Sequence, residues 1–343
     1  MAGKGCGMRD VAGQKRAVAA HLAALADGAD PATIFAPDAV AEIAHPWGRC
    51  EGPAAIGAFY ADLRAGLPDM EWRPEILIGG ENHPDERSSV QRYSPLVGAW
   101  GHLQGTFRRP ILGIPPTDGA VHLRISQVHH LNEAGQIRRS WILPDLLDLM
   151  DQAQVYPLPP MTGARGMWPG PKGGRGVRLH ETDAQAGDAA MGRVLDMHHA
   201  LNTHPGQDVR TLTMHHWTPD FMYYAAGGIG ICRAVEGFRR DHQVPFRVAF
   251  PDRSSHGHFV RIGDGRFALT GGRLYATHRG EYLGIPATGR SVHLDVMDFY
   301  HFDEAGLITE NWLPFDILGM AHQMGVDLLA RVRDLPGGAH HAP

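Results

Sequence analysis

Cysteine is scarce: Cys6, Cys50 and Cys232 are the only three in 343 residues, and no two are closely spaced. An odd, scattered set supports neither a disulfide framework nor a zinc site. Long apolar runs are missing as well. No stretch approaches the roughly 20 residues that span a bilayer, and residues 1–10 lack the apolar core of a secretion signal. No concentration of charge of one sign stands out: the formal net charge is −5 with 20% charged residues. Nothing therefore calls for nucleic acid, which needs a clustered basic patch. Histidines number 22, yet no His-x-Glu, His-Glu-x-x-His or Cys-x-x-Cys pattern accompanies them. The doublets His129-His130, His198-His199, His215-His216 and His340-His341 send adjacent side chains in divergent directions. Scattered surface and core histidines are the simpler expectation. These absences predict a cytoplasmic protein without metal, nucleic acid or membrane.

What the chain does contain is a copy of itself. Gly113–Ala153 and Gly284–Met324 align without a gap at an offset of 171, with 16 identities in 41 positions. Chance gives only a few, so this is a duplication, and a period of that length is a domain and not a solenoid unit. The expected division is a first domain over 8–153, a linker over 154–186 and a second domain over 187–333. Tyr156–Gly176 holds five prolines and six glycines, too irregular for a core of its own. Its Tyr156 and Trp168 are too apolar for a free tether, so at least one should dock on a domain.

Each half begins with helical spacing and continues with extended runs. Val11, Lys15, Val18, Leu22 and Leu25 recur at helical intervals after Asp10, and Gly52-Pro53 opens a second helix that ends near Gly66. Extended runs follow at 71–79, 87–99, 101–112, 120–131 and 136–142. In the second half a helix over roughly 187–202 and another ending before Pro245 precede extended runs at 246–250, 255–262, 266–283, 290–302 and 307–313. Gly337–Pro343 reads as a frayed end. Helices first and consecutive antiparallel strands afterwards predict an α+β fold, with helices packed on one face of a curved sheet.

Strand alternation then sorts candidate site residues. Over 292–302 one face carries Val292, Leu294, Val296, Asp298, Tyr300 and Phe302, apolar except for the carboxyl and the hydroxyl. His278 shares a face with Leu274, Ala276 and Tyr282, while Ile308, Glu310 and Trp312 share a face on the last strand. An apolar pocket with His278, Asp298, Tyr300 and Glu310 turned inward is the expectation, with Asp316 at its rim. An apolar wall raises a carboxylate pKa towards that of a useful base, and His or Tyr donors can stabilise an enolate. Each has a structural alternative: Asp316 stands where a helix N-cap belongs, Asp298 could be a buried ion-pair member, His278 a hydrogen-bonded core residue and Trp312 a core aromatic.

The pattern Thr277-His278-x-Gly280-x-x-x-Gly284-x-Pro286-x-Thr288-Gly289, followed by a strand, Asp303-Glu304-Ala305-Gly306 and Trp312-x-x-x-Asp316, resembles the SnoaL-like polyketide cyclases of the NTF2-like superfold. The resemblance implies two cone-shaped domains, each a curved antiparallel sheet with helices on its concave face. It also implies a cofactor-free lyase or isomerase, an aldol-type or ester cyclase, acting on a small carbonyl compound through Asp acid/base chemistry. Asp316, Asp298 and His278 are then the candidate catalytic residues, with Tyr300, Trp312, Tyr282 and Glu310 binding substrate. The alternatives are a non-catalytic carrier of a small apolar ligand, or a hydrolase or dehydratase in the same pocket. The first half has Phe107 for His278 and Gln127 for Asp298, which places the chemistry in the second. The two sheets are expected to face each other as an intrachain pseudo-dimer, with further homo-oligomerisation left open.

Overall fold

The computed structural model describes residues 10–204 and 215–335. Cys6, the doublet His340-His341 and the end segment Gly337–Pro343 lie outside the described residues. In the first half, helices α1 (Val11–Asp27), α2 (Pro31–Ile34) and α3 (Gly52–Gly66) accompany strands β1 (Phe35–Ile43), β2 (Gly48–Glu51), β3 (Glu71–Gly80), β4 (Leu96–Thr106), β5 (Ala120–Leu131) and β6 (Ile137–Pro144), and α4 (Leu146–Gln152) closes it. The second half repeats the order with α5 (Ala184–Thr203), β7 (Trp217–Ala225), β8 (Ile231–Arg233), α6 (Ala234–Phe238), α7 (Val244–Ala249), β9 (Ser254–Asp264), β10 (Phe267–Thr277), β11 (Ser291–Phe302), β12 (Ile308–Leu313), α8 (Ile317–Gln323) and α9 (Leu328–Asp334). Helix α1 starts where the Asp10 carboxylate accepts the Gly13 N–H at 2.7 Å, and it stops at Gly28, whose φ of 88° suits glycine.

Two six-stranded sheets result, in the orders β2-β1-β6-β5-β4-β3 and β8-β7-β12-β11-β10-β9. They are mixed, not purely antiparallel as expected, because β1 pairs parallel with β6 and β7 parallel with β12. The first strand of each half lies between helices in the chain and pairs beside the last strand in the sheet. Two further expectations are corrected. Residues 87–99 are mostly loop, because the 81–95 segment crosses to the other half: Asn82 bonds Phe259 O and Arg261 N. Residues 246–250 are not extended. A π-helical segment, Arg239–Gln243, carries the helix on into α7 past Pro245, whose ring and missing N–H would interrupt regular α-helix.

The concave faces enclose Val18, Leu22, Ile56 and Phe59 in one half and Val194, Phe221, Phe246 and Leu294 in the other. The convex faces pack on each other through a second core that includes Trp100, Val128, Leu269, Met297, Phe299 and Trp312. Trp100 and Trp312 meet at 5.9 Å between ring centres, and Trp141 stacks on Phe259 at 5.0 Å. The halves thus form an intrachain pseudo-dimer. The closing helices repeat the symmetry. Asp145 accepts the N–H of Gly227, and Asp316 accepts that of His45, each reaching across to the other half. No helix among the described residues is long and apolar enough to cross a membrane.

The linker is built into this seam. Trp168 is 1% exposed and meets Trp100 edge-on at 5.7 Å. Tyr156 packs against the core. Ala164 pairs with Ile231 and Val177 with Leu77, so the linker covers an edge of each sheet. Proteinase K, which cuts with little regard to residue type, should therefore leave the segment around Trp168 uncut under native conditions. Prompt cleavage there in a limited digest followed by mass spectrometry would contradict this docking.

Candidate active site

Strand β11 brings the site together. Its even-numbered residues face the second cone, and Asp298 stands among Val296, Tyr300 and the hydrophobic interior. Tyr300 donates its hydroxyl hydrogen to Asp298 Oδ2 at 2.5 Å, and the Asn311 amide donates to Oδ1 at 2.5 Å. Asn311 is positioned by the pairing of β12 with β11, which sets it opposite Tyr300. From α5, His198 Nε2 lies 2.9 Å from the Tyr300 oxygen. Because that hydroxyl already donates to Asp298, His198 must donate through Nε2.

Burial governs the titration of this cluster. It lifts the Asp298 carboxyl from 3.8 to about 7, against the pull of its bonds from Tyr300 and Asn311. Burial, reinforced by Asp298, pushes the Tyr300 phenol well above its ordinary value. His198 is held down at about 3 by burial and then by the stacked His258 ring 5.1 Å away, so it is neutral. The result is a carboxyl that can gain or lose a proton near neutral pH, inside an apolar wall.

Around it lie polar atoms without protein partners. The hydroxyls of Tyr223 and Tyr282, His198 Nδ1, His242 Nδ1 and His278 Nε2 are buried and make no hydrogen bond. Native proteins leave few such groups, and each calls for an explanation. Tyr223 sits on β7 opposite Asn311, and Asp298 contributes to raising its phenol pKa, after burial. His242 comes from the π-helical segment and stacks on Tyr223 at 5.2 Å. In the first half Gly66 O receives the Arg108 N–H, and in the second Ala249 O receives the Arg279 N–H. The spacing has grown by one residue relative to Gly52 and Ala234, which open the two helices. The π segment is that insertion, and such bulges frequently occur at functional sites.

The other sequence-derived candidates fall in different places. His278 follows β10 with its ring against Phe250 and Nδ1 3.1 Å from the Thr288 hydroxyl. It makes no bond to Asp298. Tyr282 packs on Phe246 and Phe250 in the same interior. Asp316 does not join the cluster. It caps α8 through the Gly319 N–H at 2.8 Å and accepts His45 N–H at 3.2 Å, facing the seam between the halves. Glu310 and Trp312 do not line the cone at all. Trp312 is in the core between the sheets and donates to Pro169 O, while Glu310 accepts from His301 and from Lys172 N–H. A β-bulge between Ile308 and Glu310 reverses the alternation there, so Ile308 and Asn311 face inward instead.

Sequence reasoning missed His198, His242, Tyr223 and Asn311. For His198 a signal existed: Val194 and His198 are one helical turn apart on the buried face of α5. For Asn311 the bulge concealed it. The first cone is built differently. There Gln127 accepts from the Tyr60 hydroxyl at 2.7 Å, and His129 Nδ1 lies 2.8 Å from the Ser140 hydroxyl. Burial holds His129 at about 3. No carboxyl occupies the position of Asp298. Among the described residues no group of three or more His, Cys, Asp and Glu side chains is arranged to hold a metal ion.

Comparison with known proteins agrees with the two-domain architecture. Residues 196–324 match the family model for SnoaL-like polyketide cyclase, and residues 16–140 match that for the SnoaL-like domain. No curated protein gives a significant match. Among solved structures, AclR from Streptomyces galilaeus is 20% identical, covering 40% of this chain and 96% of its own, with a TM-score of 0.34. TsrD from Streptomyces laurentii is 25% identical over 39% of this chain and 96% of its own, with a TM-score of 0.33. An NTF2-like protein from Burkholderia thailandensis is 19% identical over 39% and 96%, with a TM-score of 0.33.

Proposed function

Because the chain belongs to the SnoaL-like family twice over, as a tandem pair of such domains, we propose that its second domain is a cofactor-free proton-transfer enzyme. It would act on a small carbonyl compound of the polyketide type, as a lyase or isomerase. The observation that carries this reading is the half-buried Asp298 carboxyl, held by Tyr300 and Asn311, raised to about 7 and set in a cone with buried polar groups that lack partners. Asp298 takes a proton from the carbon beside the carbonyl. The C–H electrons form the enolate, and the Tyr223 and Tyr282 hydroxyls are the donors free to stabilise its oxygen. In a ring closure the enolate carbon attacks a second carbonyl, and Asp298 returns the proton to the new alkoxide. Tyr300, His198 and Asn311 hold the carboxyl in place. Asp316 is assigned to capping and the seam, and His278 to positioning Thr288.

The test is α-proton exchange in D₂O across a panel of 1,3-dicarbonyl compounds, followed by ¹H NMR. Exchange should exceed the buffer rate for at least one member. A base must be ionised to act, so a raised pKa means that the rate rises with pH through about 7. A panel with no exchange above buffer would contradict the enzyme reading, and saturable binding without exchange would return the cone to a ligand carrier.

A further inference from the structure

The pseudo-twofold relation makes two equivalent grooves where the convex sheets meet the closing helices, and the linker fills only one. In the filled groove Trp168 lies over the Arg124 guanidinium at 4.4 Å and beside Tyr224 at 6.3 Å. Gly163 and Ala164 bond Ile229 and Ile231, and Arg165 pairs with Asp151. The counterpart groove, on the Asp316 side, is an open cleft of about 270 Å³. Its floor is apolar, from Trp141, Phe259 and Met297, and its rim carries Arg273, His322 and Asp316.

The two grooves differ in a way that fits a particular occupant. Arg273 is clamped by Asp295 through two bonds of 2.6 and 2.8 Å, which hold the guanidinium plane fixed and leave its face free for stacking. On the filled side Asp145 accepts from Arg124, from Gly227 and from its own helix. Asp316 has no arginine, because the residue aligned with Arg124 is Asp295. Its bonds come from Gly319 and His45 alone, so its carboxyl can accept another donor.

We propose that this open cleft binds a planar aromatic ligand bearing an N–H, of indole size, in the place that Trp168 takes in the counterpart groove but with polar contacts of its own, since Trp168 stacks on Arg124 and its N–H finds no partner. The ring stacks on Arg273 above the Trp141 and Phe259 floor, and the N–H points to Asp316. This site is separate from the cone and stands whether or not Asp298 is a base.

The probe is 5-fluoroindole, followed by ¹⁹F NMR on the full chain. Saturable binding is expected, and 1-methyl-5-fluoroindole, which has no N–H, should bind several-fold more weakly. Arg273→Ala should weaken binding about tenfold, the scale of a lost cation–π contact. His322→Trp, at an exposed rim position, should fill the cleft with the chain's own indole and abolish binding, and both variants should keep the wild-type melting profile. Asp298→Asn should leave binding unchanged. The proposal is overturned if the wild type shows no saturable binding, if Arg273→Ala and His322→Trp bind as the wild type does, or if Asp298→Asn is the variant that loses the probe.

Discussion

Asp298→Asn should lower α-proton exchange by roughly 10²–10⁴-fold, the usual contribution of a general base. The substitution is isosteric, and Asn can still accept the Tyr300 hydroxyl hydrogen, so the cone should keep its packing. Gln127→Ala in the first cone should leave exchange nearly unchanged, because its partner is the Tyr60 hydroxyl and no carboxyl stands nearby in that cluster. Asp316→Asn should leave exchange unchanged and cost little stability, since Asn still caps α8 and only the bond from the His45 N–H is lost. Tyr300→Phe supplies a finer readout. A bond to the ionised form of Asp298 would be lost, which raises the carboxyl pKa and moves the rising limb of the pH profile to higher pH. Full exchange in Asp298→Asn, or an equal loss from Gln127→Ala, would contradict an asymmetric pair.

Asp264→Ala should be the most damaging single change to stability, at about 3–5 kcal/mol, because it strands a buried charge. Lys15 and Asp264 are both fully buried and meet at 2.6 Å. They join α1 of the first half to β9 of the second. The Asp264 carboxylate also accepts from Arg178 Nε at 3.1 Å and from the Asp183 N–H at 3.2 Å, which ties in the linker and the start of α5. Lys15 Nζ also donates to Glu181 O. Lys15→Met should cost less, because a neutral stem of similar length fills the same space and Asp264 keeps Arg178. Urea unfolding of the three proteins measures this. An Asp264→Ala loss within about 0.5 kcal/mol of zero, the range of ordinary surface changes, would mean that the pair does not hold the halves together.

Much of this architecture was legible in the residues. The 171-residue repeat implied two like domains, and alternation along β11 put Asp298 and Tyr300 on the inner face, because period two is rigid in an unbroken strand. Alternation failed on β12 because one bulge shifts every later side chain to the other face. That is why Glu310 and Trp312 were misplaced and Asn311 was overlooked. The helix through Pro245 was hidden because a π segment has no sequence signature. Asp316 belongs to a motif kept in both halves, together with Asp145, and the structure gives the pair a reciprocal capping contact across the seam. Residues retained in both copies therefore include those that hold the copies together. His198 and Tyr223 approach Asp298 from elements about 100 and 75 positions away in the chain, and no local pattern reports such proximity.

The most direct measurement is the titration of Asp298 itself, by ¹³C NMR of carboxyl-labelled aspartate in the wild type and in Asp298→Asn. One aspartate resonance, missing from the variant, should titrate with a midpoint near 7, raised by burial from 3.8. A midpoint near the ordinary aspartate value of about 4 would mean a solvated or ion-paired carboxylate, and would contradict the account of the second cone as the seat of proton transfer.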